Sequence, residues 1–333
     1  MLRLKMTSFK RHHVIYKENT DRFDAEEIVD RIRVMRKQEQ SSYKNTDYLA
    51  DTCSPEIMRG EEQRMIKNRT NKDESTKETN QVNEFCREKI VEWSFRVVDY
   101  FNINREVVAI STSYLDRFLS RNICDKRTFK LAATTSLYLA IKLNESHKPD
   151  MMKVLSDLSR GEFSTDEISE MEKAILESLS WLLHPPTSSC FVEHMLKLIG
   201  TYTDLYQVRR ISALATFFTE LSICDYYFTT QFPSTVAVAA ILNAMEIFNL
   251  NEIPTISQDE LLERISLVID THHRSQELIE ARRRLWFVYD RSEEFALRDV
   301  EASSSSKKPS KKSSYTNNAS QEKHQSPVSV YQK

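Results

Sequence analysis

Residues 131–145 read LAATTSLYLAIKLNE, and residues 114–120 before them read YLDRFLS. Both stretches are rich in apolar side chains, which recur at steps of three and four residues. That period places the apolar side chains on one broad face of an α-helix, as in a helix that other helices surround. We therefore predict helices over residues 105–119 and 127–143, both at the centre of a helical bundle.

Helical patterns continue on both sides of this centre. Residues 83–101 carry an amphipathic stripe, and Ser164 opens another helix as a capping residue followed by acids. Pro185 and Pro186 end this set, and period-two patterns joined by a glycine turn do not occur. The predicted fold class is all-α, with two tandem sets of about five helices. The second set comprises residues 191–199, 205–221 and 233–248, a segment from residue 257, and another through residues 282–289.

The composition excludes several classes of enzyme. The 333 residues include only three glycines, Gly60, Gly161 and Gly200. The glycine-rich phosphate loops and the nucleophile elbow cannot be built from them. The eight histidines show no H-E-x-x-H spacing. We predict that the chain is not an enzyme and needs no cofactor or metal, and an enzyme with scattered catalytic residues is the least favoured alternative.

Cysteines and charge indicate the compartment and the class of partner. The five cysteines form no CxxC pair, which is typical of reduced thiols in an intracellular protein and excludes a zinc ribbon. An apolar run of membrane-spanning length and a secretory signal are both absent from the sequence. The net charge is −2 with a positive end segment, so the remainder is acidic and does not favour nucleic acid.

Several motifs together resemble the cyclin box of cell-cycle cyclins. They are REKIVEW at residues 87–93, YLDRFLS, LAATTSLYLAIKLNE, and FSTDEISEMEKAILESL at residues 163–179. Residues 224–240 (CDYYFTTQFPSTVAVAA) are similar to the second cyclin repeat, and residues 21–38 (DRFDAEEIVDRIRVMRKQ) to the helix ahead of the box. The resemblance implies tandem five-helix cyclin folds. It also implies a non-catalytic subunit that binds and activates a cyclin-dependent Ser/Thr protein kinase in cell-cycle control.

Composition and resemblance together divide the chain into five segments. Residues 67–81 (KNRTNKDESTKETNQ) contain no apolar side chain, and the chain from residue 302 is rich in Ser and Lys, so both are predicted to lack a packed core. The predicted segments are a disordered N-terminal segment (1–20), an N-terminal helix and polar linker (21–82), a first cyclin box (83–186), a second cyclin fold (187–298) and a disordered tail (299–333).

Arg87 and Asp116 are predicted to form a structural ion pair. Both residues lie in apolar-periodic stretches, so each charge is expected to be partly buried. A buried charge without a partner costs several kcal/mol, which makes pairing the economical arrangement. In cyclins the matching residues pair. The alternative is that each is a separately solvated surface charge.

The resemblance assigns a kinase-binding role to Lys142 and Glu172. In the family, the matching side chains point outward and hold backbone groups of the kinase's mobile helix, with apolar neighbours such as Leu143 sealing the contact. Glu145 belongs to the same predicted surface, although Asn144 stands where the family tends to have a second acid. The alternative is that Lys142 and Glu172 are ordinary helix-end charges that the helix dipole favours.

The resemblance also points to a substrate-docking patch, which this chain has altered. Lys89 stands where the family has an apolar residue, and Arg96 where it has an acid. We therefore predict a docking patch that is weak or that accepts acidic or apolar motifs rather than Arg-x-Leu. The patch comprises Cys86, Lys89, Ile90, Trp93, Arg96 and Lys130.

The flanking segments suggest control of lifetime and location. Lys17-Glu18-Asn19 resembles the degron read by a ubiquitin ligase, and a lysine cluster at residues 307–312 is compatible with nuclear import, so we expect the nucleus and cytoplasm. The kinase, the cell-cycle phase and the subclass stay open. The alternative function is a cyclin-fold adaptor in transcription, such as a transcription-type cyclin or an initiation factor.

Overall fold

The computed structural model describes residues 25–51, 82–145, 151–198, 205–247, 258–269 and 275–305. Within these ranges every regular element is a helix, which confirms the all-α prediction. None of these helices has both the length and the apolar character needed to cross a bilayer. The helices are α1 (Ala25–Gln40), α2 (Tyr48–Asp51), α3 (Glu84–Tyr100), α4 (Glu106–Leu119), α5 (Lys126–Asn144), α6 (Met151–Leu158), α7 (Thr165–Ser178), α8 (Ser188–Lys197), α9 (Leu205–Cys224), a 3₁₀-helix (Tyr226–Thr230), α10 (Pro233–Ile247), α11 (Gln258–Ile269) and α12 (Gln276–Ser305).

Helices α3 to α7 form the first repeat around α5. From Leu131 to Ile141 every residue of α5 is buried, because α4 and α7 pack against it on different sides. The short helix α6, which the sequence analysis does not locate, completes the five helices. It is anchored by Met151 and Leu155, which lie in the same core.

Helices α8 to α12 form the second repeat around α10. Residues 234–245 of α10 are buried without interruption, since α8, α9 and α12 surround the helix. Pro233 occupies the first position of α10, where its missing N–H costs no hydrogen bond. The prediction of two tandem five-helix repeats is confirmed.

The N-terminal segment contacts both repeats. Ile28 and Ile32 of α1 lie in the core of the second repeat, and Tyr48 of α2 lies in the core of the first. Near the end of α1, the buried Glu39 carboxylate accepts hydrogen bonds from the backbone N–H (2.9 Å) and the hydroxyl (2.6 Å) of Ser234. A side chain of α1 therefore caps the first turn of α10, and the N-terminal helix predicted at residues 21–38 is present.

The last helix extends past the boundary drawn from the sequence. Helix α12 continues to Ser305, whereas the sequence analysis begins the disordered tail at residue 299. Residues 295–302 (FALRDVEA) include good helix formers, and extending an existing helix costs far less than nucleating one. The rest of the tail, residues 1–20 with the Lys17-Glu18-Asn19 motif, and the linker at residues 67–81 lie outside the described residues.

Candidate functional site

Capping side chains fix the two helices that carry the predicted kinase-binding residues. The hydroxyl of Ser164 accepts from the N–H of Glu167 (3.2 Å), and the Glu167 carboxylate accepts from the N–H of Ser164 (2.9 Å). This capping box begins α7 where the sequence predicts it. Asp125 caps α5 by accepting from the N–H of Thr128 (2.8 Å), a bond that lowers the pKa of the Asp125 carboxyl.

Lys142 and Glu172 are joined by a hydrogen bond across the surface of the first repeat. Lys142 Nζ lies 2.8 Å from Glu172 Oε1, and the side chains are 51% and 12% exposed. This hydrogen bond raises the pKa of Lys142. Glu172 lies in the interior of α7 rather than at its end, and it is buried. It is therefore not a solvated helix-end charge, and the pair presents a cation outward over a recessed carboxylate.

The other two predicted binding residues differ in their availability. Leu143, next to Lys142, is 44% exposed, which is unusual for a large apolar side chain. Glu145 lies at the end of α5, and its Oε1 accepts from the backbone N–H of Asn104 (3.1 Å). The structure thus places Lys142 and Leu143 on an open surface with Glu172 recessed beneath Lys142, whereas Glu145 holds the loop before α4.

Arg87 and Asp116 form the predicted ion pair in the interior. Arg87 Nε and Nη2 donate to Asp116 Oδ1 (2.9 Å) and Oδ2 (2.8 Å), and the two residues are 3% and 2% exposed. Burial alone would lower the pKa of Arg87, but the charge and hydrogen bonds of Asp116 outweigh it and raise the pKa. Arg87 Nη1 also donates to the carbonyl of Ile223 in α9 (2.7 Å), so the pair joins the two repeats.

The structure divides the predicted docking patch between interior and surface. Ile90 and Trp93 are 3% and 1% exposed and belong to the core of the first repeat. They offer almost no surface to a ligand, because their face of α3 packs inward. Cys86, Lys89 and Lys130 are half-buried, with Lys89 Nζ 2.9 Å from Glu92 and Lys130 Nζ 3.3 Å from Glu162, whereas Arg96 is exposed.

A turn that follows α7 presents two apolar side chains that the sequence analysis does not single out. Trp181 is 67% exposed and Leu182 is 36% exposed. The backbone N–H of Trp181 donates to the carbonyl of Leu176 (3.1 Å), which lies one helical turn after Glu172. The available signal in the sequence is that the apolar stripe of α7 ends at Leu179, which leaves Trp181 off the buried face.

Four of the five cysteines lie in the described part of the chain, and Cys53 lies outside it. Cys86, Cys124, Cys190 and Cys224 are free thiols, and burial raises the pKa of Cys124 and of Cys190 to about 11. These two thiols are therefore protonated and weakly nucleophilic at neutral pH. Within the described ranges, His, Cys, Asp and Glu side chains do not gather into a group of three or more that could hold a metal ion.

Comparison with known proteins places the chain in a family. Residues 54–184 match the model described as "Cyclin, N-terminal domain", and residues 186–318 match "Cyclin, C-terminal domain". The two models together span both helical repeats. The chain belongs to the cyclin family.

Individual relatives are distant and longer than the matched region. G2/mitotic-specific cyclin-1 of Medicago sativa subsp. varia is 28% identical over 205 residues, which cover 58% of this chain and 46% of that protein. Human cyclin-O is 31% identical over 163 residues, which cover 48% of this chain and 46% of that protein. In both cases the match spans less than half of the relative's own length.

A solved structure shares the fold. A viral cyclin from herpesvirus saimiri matches with a TM-score of 0.51 and 19% sequence identity. The match covers 64% of this chain and 87% of the viral chain. At this level of identity, the likeness supports the tandem cyclin fold alone.

Proposed function

We propose that this protein is a regulatory subunit that binds and activates a cyclin-dependent Ser/Thr protein kinase in cell-cycle control, and that it has no catalytic activity of its own. The observation that carries the proposal is the Lys142–Glu172 pair on the first repeat, in which the half-exposed Lys142 lies over the recessed Glu172, next to the exposed side chain of Leu143. Membership of the cyclin family and relatives named as G2/mitotic-specific cyclins support it.

The Lys142–Glu172 pair suits recognition of a partner's backbone. An ammonium group has three donors, and the bond to Glu172 uses only one of them. The other donors can reach carbonyl groups of a docked helix, while the recessed carboxylate accepts an N–H. Hydrogen bonds to charged groups contribute about 1.5–3 kcal/mol each once water is excluded. Leu143, the residue after Lys142, supplies apolar surface for that exclusion.

Activation follows from holding one element of the kinase. Protein kinases need an ion pair between a strand lysine and a glutamate of a mobile helix, together with an open activation loop. A partner that binds the mobile helix in its inward position favours the active state by its differential affinity for that state. Lys142 and Glu172 are the groups on this chain that would grip the helix.

The test is the double variant Lys142→Ala, Glu172→Ala in the full chain. We expect it to remain folded by circular dichroism, because Lys142 is largely exposed and both members of the pair are removed together. It should lose most of its ability to capture the kinase and to support phosphorylation of a histone peptide. The kinase is the one that the unmutated chain captures from source-cell lysate, identified by mass spectrometry.

The matched control is Arg127→Ala, Glu167→Gln, in which the glutamine can keep the capping bond to the N–H of Ser164. Arg127 and Glu167 form a 2.7 Å ion pair between the same two helices, near the first residue of each, whereas Lys142 lies near the last residue of α5. The control variant should keep full kinase activation. Unchanged activation by the Lys142, Glu172 variant would remove this pair from the interface, and capture of polymerase or nucleic acid without a kinase would favour the transcription adaptor instead.

A further inference from the structure

The turn after α7 adopts a conformation that its residues do not favour. Ser180 and Trp181 have φ values of +51° and +60°, in the left-handed region that usually belongs to glycine or asparagine. The N–H of Ser180 donates to the carbonyl of Glu177 (3.0 Å) and that of Trp181 to the carbonyl of Leu176, which together form a Schellman motif. A bulky residue in this conformation persists only where its surroundings hold it.

Side chains of α4 hold this turn through its backbone carbonyls. Tyr114 donates its hydroxyl to the carbonyl of Leu183, and Arg117 Nη2 donates to the carbonyl of Leu182 (2.9 Å). Arg121 donates to the carbonyl of Ser178. These three donors are spaced by three and four residues, so they lie on one face of α4 and grip the turn at successive points.

Arg117 differs from the other buried arginine of the first repeat. It is 6% exposed, but no carboxylate in the described part of the chain pairs with it, whereas Arg87 has Asp116. Its guanidinium donates to the carbonyls of Ser113 (3.3 Å) and Leu182 and lies 4.8 Å from the ring centre of Tyr43. Burial lowers the pKa of Arg117 to about 10, and the nearby charge of Arg121 acts in the same direction. Because burying an arginine without a carboxylate partner is unfavourable, the position of Arg117 indicates a specific structural role.

Tyr43 connects this arrangement to the N-terminal segment. Its ring covers the guanidinium of Arg117, and its hydroxyl accepts from the backbone N–H of His184 (3.3 Å). The turn is therefore held from α4 on one side and from the segment after α1 on the other. Both supports lie far from Trp181 in sequence, and neither involves the Trp181 side chain itself.

The result is an aromatic side chain that points outward just after the helix that carries Glu172. Glu172 and Leu176 lie one turn apart on α7, and the carbonyl of Leu176 accepts the N–H of Trp181, so Trp181 follows Glu172 in the direction of the C-terminal end of the helix. Rigid, exposed aromatic side chains are frequent anchors at protein interfaces, because little conformational entropy is lost when they are buried.

We propose that Arg117 and Tyr43 are positioning residues that fix the turn at residues 180–183, so that Trp181 is presented as the aromatic anchor for an apolar face of the partner kinase. The identity of the partner rests on the proposed function, whereas the positioning of Trp181 does not. Neither positioning residue needs to touch the partner.

The positioning is tested without any kinase by fluorine NMR of the full chain labelled with 5-fluorotryptophan. The chain has three tryptophans, so three signals are expected, and Trp181→Phe assigns the one of interest. Arg117→Met should shift or broaden the Trp181 signal and leave those of Trp93 and Trp286 in place. The control Arg127→Met removes an exposed arginine from α5, which lies over the ring of Phe163, and should move none of the three.

Variants of Tyr43 provide an independent reading if Arg117→Met fails to fold. Tyr43→Ala should shift or broaden the Trp181 signal. Tyr43→Phe keeps the ring over Arg117, so its Trp181 signal should match that of the unmutated chain. An unchanged Trp181 signal in Arg117→Met, or in Tyr43→Ala when the arginine variant is unfolded, overturns the positioning role.

Affinity for the captured kinase then tests the anchor. Trp181→Ala and Arg117→Met should each weaken binding by at least about tenfold, and Tyr43→Phe should bind as the unmutated chain does. Normal kinase binding by Trp181→Ala would contradict the proposed role of Trp181 as an anchor. If the unmutated chain binds no kinase, the proposed function and the anchor's partner fail together, while the NMR result still decides the positioning role.

Discussion

The central helices of the two repeats end in ion pairs of opposite polarity. Helix α5 ends with Lys142 bound to Glu172 of α7, and α10 ends with Glu246 bound to Arg282 of α12, in both cases at 2.8 Å. The second pair is fastened further, because Arg282 Nε donates to Asn243 Oδ1 and Asn243 Nδ2 donates to the Arg282 carbonyl, each at 3.0 Å.

The difference lies in what each pair is free to do. Asn243 is fully buried, so Arg282 cannot leave without stranding an amide inside the second repeat. Lys142 is half exposed, and Glu172 is its one carboxylate partner in the described chain. The same architecture thus keeps a fixed pair in one repeat and an exchangeable pair in the other, which is why we assign partner binding to the first.

The largest loss of stability is expected from breaking the buried ion pair between Arg87 and Asp116. Asp116→Ala leaves the Arg87 guanidinium without a counter-ion in the interior, and breaking a buried pair from one side typically costs about 3–5 kcal/mol. Urea denaturation followed by circular dichroism measures this loss. Glu170→Ala, which removes an exposed acid of α7, is the control and should change stability little. A loss no larger than that of the control would show that Arg87 finds another partner.

The comparison between the two ion pairs is tested directly by measuring the stability of two variants, Arg282→Ala and Lys142→Ala. The first variant leaves the buried Oδ1 of Asn243 without its donor, although Nδ2 keeps the backbone carbonyl of residue 282, and should cost about 1–3 kcal/mol of unfolding free energy. The second removes a half-exposed lysine, which opens the recessed Glu172 carboxylate to water, and should cost less than about 1 kcal/mol. Equal losses in denaturation would mean that the two pairs are equally fixed, and the reason for assigning binding to the first repeat would disappear.

The smallest expected change in stability comes from the titration of Glu39, whose carboxylate caps α10. Burial raises the pKa of Glu39, although hydrogen bonds from Arg36 and Ser234 oppose the rise. A raised pKa means that the folded chain holds this proton more tightly than the unfolded chain, so the contribution of Glu39 to stability grows as the pH falls and is lost as the pH rises through the folded pKa.

We therefore expect the stability of the unmutated chain, relative to Glu39→Gln, to increase between pH 7 and pH 5. Urea titrations of both proteins at the two pH values measure the change. The same difference at both values would indicate that Glu39 keeps its ordinary pKa in the folded chain.

Periodicity predicts the parts of this molecule that depend on one helix at a time. The three- and four-residue spacing identifies α5 and α10, and it places Arg87 and Asp116 on buried faces, from which their pairing follows. Helix α6 escapes this reasoning, because eight residues give only two turns of pattern. Periodicity also does not predict how deeply Trp93 is buried. An apolar stripe shows which face of a helix is apolar, but not how completely other helices cover that face.

Trp181 depends on contacts that no local pattern contains. Its outward position is fixed by Arg117 on another helix and by Tyr43 in the N-terminal segment. Sequence shows all three residues but not that they meet. The same limit applies to Glu39 and Ser234, which lie 195 positions apart in the chain.

The docking of α1 on the second repeat has a consequence for synthesis of the protein. Ile28 and Ile32 leave the ribosome long before other residues of their core, such as Leu261 of α11, which packs against α1. The first repeat can fold during translation, whereas α1 has to wait with its apolar face uncovered until the second repeat exists. Closure of α1 then joins residues far apart in the chain, and such long-range contacts form slowly. The apolar face of α1 therefore stays uncovered on the newly made chain until the second repeat folds, and an assay for the docked Ile32 would report completion of folding.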